Sequence, residues 1–100
     1  MRIRIQKLDS REGPFGQFVV CWQPGLNEAW SCQFVRNWRV VGLLRHRGLE
    51  DPRDVTELYQ QARAATREWG QRGGYAEYRP DVGVRRFQGA LPPDPDGSYG

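Results

Sequence analysis

Two cysteines and one histidine are the side chains of this 100-residue chain that could act as a nucleophile or bind zinc. Cys21 or Cys32 could form a thiolate–imidazole dyad with His46. Nothing near them in the sequence brings the three together, and a reactive thiol needs an exposed, electropositive site. Structural zinc takes four Cys or His ligands at short paired spacings, which this chain lacks. We therefore predict no catalytic cysteine, no metal and no other cofactor, and free thiols in a reducing compartment.

The carboxylates, serines and glycines also lack the spacing of a catalytic motif. Asp51 and Asp54 resemble a carboxylate pair, but their position at the start of a helix explains them as cap and dipole partners. No serine lies in a Gly-x-Ser-x-Gly setting. The glycines between Gly70 and Gly74 are not followed by the Lys-Ser/Thr of a phosphate loop. The sequence therefore favours a protein that is not an enzyme.

Arginine and aromatic side chains offer binding chemistry instead. The chain has 15 basic and 12 acidic residues, a net charge of +3, and Lys7 as its single lysine. A guanidinium suits phosphates, carboxylates and aromatic faces. The densest basic stretch, 36–47, contains no acid and carries Arg36, Arg39, Arg45, His46 and Arg47. This stretch predicts a surface for an anionic partner, although a GC-rich genome alone would also favour arginine codons.

Length and composition limit the fold to one domain. Hydrophobic residues make up 38% and charged residues 27%, as in ordinary globular proteins. No apolar run approaches the ~20 residues that cross a membrane, and residues 1–7 lack the apolar block of a signal peptide. We expect one domain over 1–88, followed by a flexible Pro-rich tail over 89–100. The expected location is the cytoplasm, as a monomer or homodimer.

Alternating apolar residues predict three strands, at 2–8, 17–22 and 29–35, that form an antiparallel meander. The segment 37–47 is ambiguous. Asn37 could cap a short helix that ends at Gly48, whereas Gly42 inside the segment favours a strand. We prefer the strand slightly.

Residues 51–69 carry the clearest helix pattern. Asp51 suits the N-cap, Pro52 suits the first helical position, and Gly70 ends the segment. An apolar stripe for packing on a core recurs every three to four residues: Val55, Leu58, Tyr59, Ala62, Ala65 and Trp69. Residues 75–78 and 82–87 could add two short strands. The predicted fold is α+β, with a three- to four-stranded antiparallel sheet packed on one amphipathic helix.

A hairpin centred on Leu26 and Asn27 would place Cys21 opposite Cys32 and assign side chains to two faces. We expect the core face to gather Val19, Cys21, Trp30, Cys32 and Phe34. The other face would gather Phe18, Val20 and Trp22 with Arg2, Arg4 and Gln6. Such rings and guanidiniums suit bases and phosphates. Alternatively, the 37–47 segment or a partner covers the rings, and a one-residue slip would exchange the faces.

Two functions follow. The first is a small non-catalytic module that contacts nucleic acid, or a protein that handles it. Its predicted contact residues are Arg2, Arg4, Phe18, Trp22, Arg36, Trp38, Arg39, Arg45, His46 and Arg47. The second is a stoichiometric inhibitor or adaptor, of the kind that phages and mobile elements use, which binds a protein through Trp, Tyr and Arg anchors.

Overall fold

The computed structural model describes residues 1–92 and contains a five-stranded antiparallel sheet and two helices. The elements are β1 (Arg2–Lys7), β2 (Gln17–Gln23), β3 (Ser31–Arg36), α1 (Asn37–His46), α2 (Pro52–Trp69), β4 (Gly74–Arg79) and β5 (Gly83–Gln88). The strand order is β3-β2-β1-β4-β5, so the first strand lies at the centre. The predicted α+β class and meander are confirmed, but the sheet has five strands instead of three or four.

The predicted register of β2 and β3 is confirmed, since Cys21 lies opposite Cys32. The assignment of faces is wrong. Both helices cover the side that carries Phe18, which is 0% exposed, and Val19 lies on the opposite side in a smaller cluster. The reason is β1: Ile5 pairs with Val20, so the isoleucines of β1 share the helix-covered face with Phe18. We call this the inner face of the sheet and its opposite the outer face.

The segment 37–46 is helix α1, so the preferred strand prediction is wrong. Val40 and Leu44, four residues apart, are both fully buried in the main core. A side chain at Gly42 would meet no atom within 4 Å, because this position faces open space. Glycine there costs about 1 kcal/mol of helix propensity. Burial of the two apolar side chains more than offsets that cost.

Helix α2 forms as predicted, from Pro52 to Trp69. The Asp51 side chain accepts a hydrogen bond from the Arg53 amide at 2.9 Å, and Gly70 ends the helix with a φ of 85°. Its buried stripe packs over β1, β4 and β5, whereas α1 covers β2 and β3. Neither helix of residues 1–92 combines the length and hydropathy that crossing a bilayer requires.

A disulfide joins Cys21 in β2 to Cys32 in β3, with the two Cα atoms 4.1 Å apart. The structure therefore contains the bonded form of this pair, whereas free thiols are what we expect in a reducing compartment. The bond links two neighbouring strands across the outer face and ties the edge strand β3 to the interior of the sheet.

The chain after β5 crosses back over the outer face. The Gly89 amide donates to the Gly73 carbonyl at 2.7 Å, and Leu91 packs with Leu8, Val19 and Trp30. The part of the predicted tail from 89 to 92 is thus in contact with the domain, and 93–100 lie outside the described residues.

We predict that Leu91→Ala lowers the free energy of unfolding by about 2 kcal/mol, the lower end of the cost of truncating a buried leucine. Leu91 is 6% exposed, whereas Leu26 is 87% exposed, so Leu26→Ala is the matched control and should leave stability unchanged. Urea denaturation measures both. Equal stability of the two variants would contradict the packing of Leu91.

Candidate binding surface

Two of the predicted contact residues, Phe18 and Trp22, serve the core. Phe18 lies beside Tyr59 with ring centroids 5.7 Å apart. Trp22 is half-buried, and the Arg47 guanidinium lies 4.0 Å from its ring centroid. These rings are on the inner face, so they cannot share one surface with Arg2 and Arg4 as expected.

Arg2 and Arg4 lie on the outer face and are held by a carboxylate from β4. Arg4 Nε donates to Glu77 Oε2 at 2.7 Å, and Arg2 Nη2 donates to the same oxygen at 3.1 Å. Arg79 Nε donates to Glu77 Oε1 at 2.6 Å. The Trp30 ring lies over Arg2 and Arg4, with the Arg4 guanidinium 4.3 Å from its centroid. We call Glu77 and these three arginines the Glu77 cluster.

The Glu77 carboxylate is 4% exposed, yet it stays charged. Burial by itself raises the pKa of this carboxyl group. Hydrogen bonds from Arg4 and Arg79 and the charge of Arg2 outweigh the burial, and they hold the pKa below its usual value of 4.5. The pairing explains why arginines on a central strand can be tolerated in a largely covered position.

The surface that is open lies where β3 passes directly into α1. The rings of Phe34 and Trp38 are each 65% exposed. Together with Arg36 and Arg39 they line a hollow of about 400 Å³, to which Gln17 and Val35 also contribute. We call these six residues the Phe34–Trp38 patch.

The turn between β1 and β2 fixes the start of α1 beneath this patch. Asn37 Nδ2 donates to the Gly13 carbonyl at 2.8 Å, and the Trp38 amide donates to the Pro14 carbonyl at 3.3 Å. Arg36 Nη1 donates to the Phe15 carbonyl at 3.0 Å. The helix therefore begins at a defined place, which sets the separation of the Phe34 and Trp38 rings.

Helix α1 extends the positive charge away from the patch. Trp38, Val41 and Arg45 follow one side of the helix, and all three are exposed. His46 is exposed beside Arg45 in the last turn. No acidic residue occurs between Glu28 and Glu50. The structure thus brings together Arg36, Trp38 and Arg39 of the predicted contact residues, with Arg45 and His46 farther along the same helix.

Sequence reasoning missed Phe34, Glu77 and Arg79. Phe34 was expected in the core, but it alternates with Val35, which is the buried residue of this edge strand. This alternation could have indicated that Phe34 is exposed, but the wrong assignment of faces placed Phe34 in the core. Glu77 and Arg4 are 73 positions apart, and no local pattern indicates their pairing.

Among residues 1–92, no group of three or more His, Cys, Asp or Glu side chains is placed to hold a metal ion. Comparison of the chain with protein-family models, curated proteins and solved structures finds no significant match. Function must therefore be inferred from the residues and their placement.

We predict that Glu77→Gln lowers the free energy of unfolding at pH 7 by about 3 kcal/mol, because three guanidiniums lose their only carboxylate in the cluster. The lowered pKa means that charged Glu77 stabilises the fold above pH 4.5, and that this contribution disappears as the pH falls through the folded-state pKa. Urea denaturation from pH 7 to pH 2 should show a smaller acid-dependent loss for Glu77→Gln than for the wild type. Glu57→Gln, an exposed carboxylate on α2, is the control. Identical pH profiles for Glu77→Gln and wild type would contradict the assigned role.

Proposed function

We propose that the protein is a non-catalytic module that binds single-stranded nucleic acid through the Phe34–Trp38 patch. The observation that carries the proposal is the placement of two exposed rings and two guanidiniums around one hollow. Exposed apolar side chains that lie together on a surface are typical of contact sites. Unpaired bases can stack on such rings, and each stacked base contributes about 1–3 kcal/mol.

Charge supports a nucleic acid as the partner. Arg36 and Arg39 lie beside the rings, and Arg45 and His46 continue along α1. Phosphates that follow this row would be neutralised by guanidiniums, with release of bound counterions. The stretch 36–47 contains no acidic residue that would repel the phosphates.

The remaining predicted contact residues have other partners in the structure. Arg2 and Arg4 bind Glu77, Arg47 covers Trp22, and Phe18 lies inside the core. The proposed surface is therefore the β3 edge and α1, and not the open face of the sheet that the sequence suggested.

A protein partner is the second candidate, and the position of β3 favours it. This strand is at the edge of the sheet, so the backbone N–H and C=O groups that point away from β2 have no neighbouring strand among residues 1–92. A partner protein, or a second copy of the chain, could add a strand there and cover Phe34. This is the inhibitor or adaptor function, with the same side chains as anchors.

We predict that Trp38→Ala weakens binding of a fluorescein-labelled single-stranded oligonucleotide by about tenfold, the loss of one stacked base. Leu26→Ala, another exposed apolar residue outside the patch, is the control and should bind as the wild type does. Fluorescence anisotropy measures the affinities. The wild type should bind much more weakly at 200 mM than at 50 mM salt.

In the same assay, Arg39→Gln should weaken binding and reduce the slope of log affinity against log salt by about one. Arg53→Gln removes the same charge at a 94% exposed side chain outside the patch, and is the control. An affinity that changes neither with salt nor in Trp38→Ala and Arg39→Gln would contradict the nucleic-acid proposal. A concentration-dependent dimer in light scattering that Trp38→Ala abolishes, without oligonucleotide binding, would establish the protein contact instead.

A further inference from the structure

We propose that the outer face of the sheet holds a second binding site, a pocket for a phosphate group between β4 and β5. The pocket is a hollow of about 240 Å³ lined by Glu77, Arg79, Val82, Arg85 and Phe87. It lies at the edge of the sheet opposite to β3, so it is separate from the Phe34–Trp38 patch and does not depend on the function proposed for that patch.

Strand register builds this pocket. Arg85 of β5 lies opposite Glu77 of β4, and Gly83 lies opposite Arg79. Gly83 has a φ of 78°, which favours glycine, and a side chain there would meet no atom within 4 Å. The space beside Gly83 is therefore open. Phe87 forms an apolar wall, held by Tyr75 with ring centroids 5.3 Å apart.

The charge around the pocket is unbalanced. Arg2, Arg4 and Arg79 all bind Glu77, and Arg85 forms no ion pair with any of the residues 1–92. One carboxylate thus faces four guanidiniums. An added anion would supply the negative charge that this part of the sheet lacks.

The four arginines differ in how accessible they are to a ligand. The Trp30 ring lies over Arg2 and Arg4 and leaves them partly buried, whereas Arg79 and Arg85 are exposed. The two covered guanidiniums still act through the field that they add behind Glu77. An anion would therefore be attracted by all four arginines but would contact Arg79 and Arg85.

A phosphate group fits this arrangement. Two guanidiniums can each donate paired hydrogen bonds to phosphate oxygens, and a phosphate monoester carries close to two negative charges. The hollow is smaller than the ~300–1,000 Å³ of pockets for drug-sized ligands. The ligand is therefore either free inorganic phosphate or the terminal phosphate of a larger molecule, such as a 5′-phosphorylated nucleic acid.

The test with free phosphate is an NMR titration of the amide signals at pH 7.5, with sodium chloride at matched ionic strength as the reference. Phosphate should shift the amides of residues 79–87 saturably, and chloride should not. Arg85→Gln should weaken phosphate binding about tenfold, the value of one charge-assisted contact. This variant removes no ion pair found among residues 1–92, so the fold should persist, as the unchanged remainder of the spectrum would show. Arg53→Gln is the charge-matched control.

A second titration identifies the source of the phosphate and keeps the two sites distinguishable. The Trp38→Ala variant, which lacks the proposed stacking ring, is titrated with a 5′-phosphorylated oligonucleotide and with the 5′-hydroxyl form. Arg85-dependent preference for the phosphorylated form supports a terminal phosphate, and binding of inorganic phosphate alone supports the free ion. Amide shifts that grow linearly with both phosphate and sodium chloride would contradict the phosphate site. A phosphate affinity that Arg85→Gln leaves unchanged would also contradict it, whether or not the Phe34–Trp38 patch binds nucleic acid.

Discussion

Strand β1 pairs on both sides, with β2 and with β4, so its alternation of isoleucine and arginine determines what each face of the sheet can hold. Ile3 and Ile5 enter the dry core under the helices, and this forces Arg2 and Arg4 onto the outer face at the centre of the sheet. Central positions are poorly solvated, and a guanidinium there needs a counter-charge. Glu77 on the adjacent strand meets that need, because its register places it directly opposite Arg4.

The outer face is consequently neither a core nor an open platform. Its middle is covered by Trp30 and by Leu91, which pack with Val19 and Cys21. Within residues 1–92, the two proposed sites lie toward the edges of the sheet: the Phe34–Trp38 patch at β3, and the pocket lined by Arg79 and Arg85 at β5. Each place includes residues of an edge strand, β3 or β5, that has one neighbouring strand among residues 1–92.

Local signals in the sequence predict local structure here. Helix α2 was predictable because Asp51, Pro52 and Gly70 mark its ends, and the register of β2 with β3 followed from one hairpin. Helix α1 was not, because burial of Val40 and Leu44 by distant strands outweighs the low helix propensity of Gly42. Local signals cannot supply such tertiary information.

The candidate site shows the same limit. Arg36, Trp38 and Arg39 were predictable as a basic and aromatic segment, and they do lie together. Their neighbour Phe34 was assigned to the core, because the faces of β2 depend on its register with β1, which the turn over residues 9–16 sets. The role of Glu77 could not be predicted, since two of its three partners, Arg2 and Arg4, lie at the other end of the chain.

The covered centre of the outer face also limits how a nucleic acid can approach. A strand lying flat across the sheet would have to displace Trp30 and Leu91, which are packed in the smaller core cluster. Each proposed site would therefore bind its ligand by itself, because three strands and four inter-strand spacings of ~4.8 Å separate β3 from β5. Binding at the β3 edge then draws on α1, whose exposed Trp38, Arg39 and Arg45 lie beside the sheet and outside the covered area. The direct passage from β3 into α1 places the aromatic rings and guanidiniums of the proposed site together at this edge, and not on the plane of the sheet.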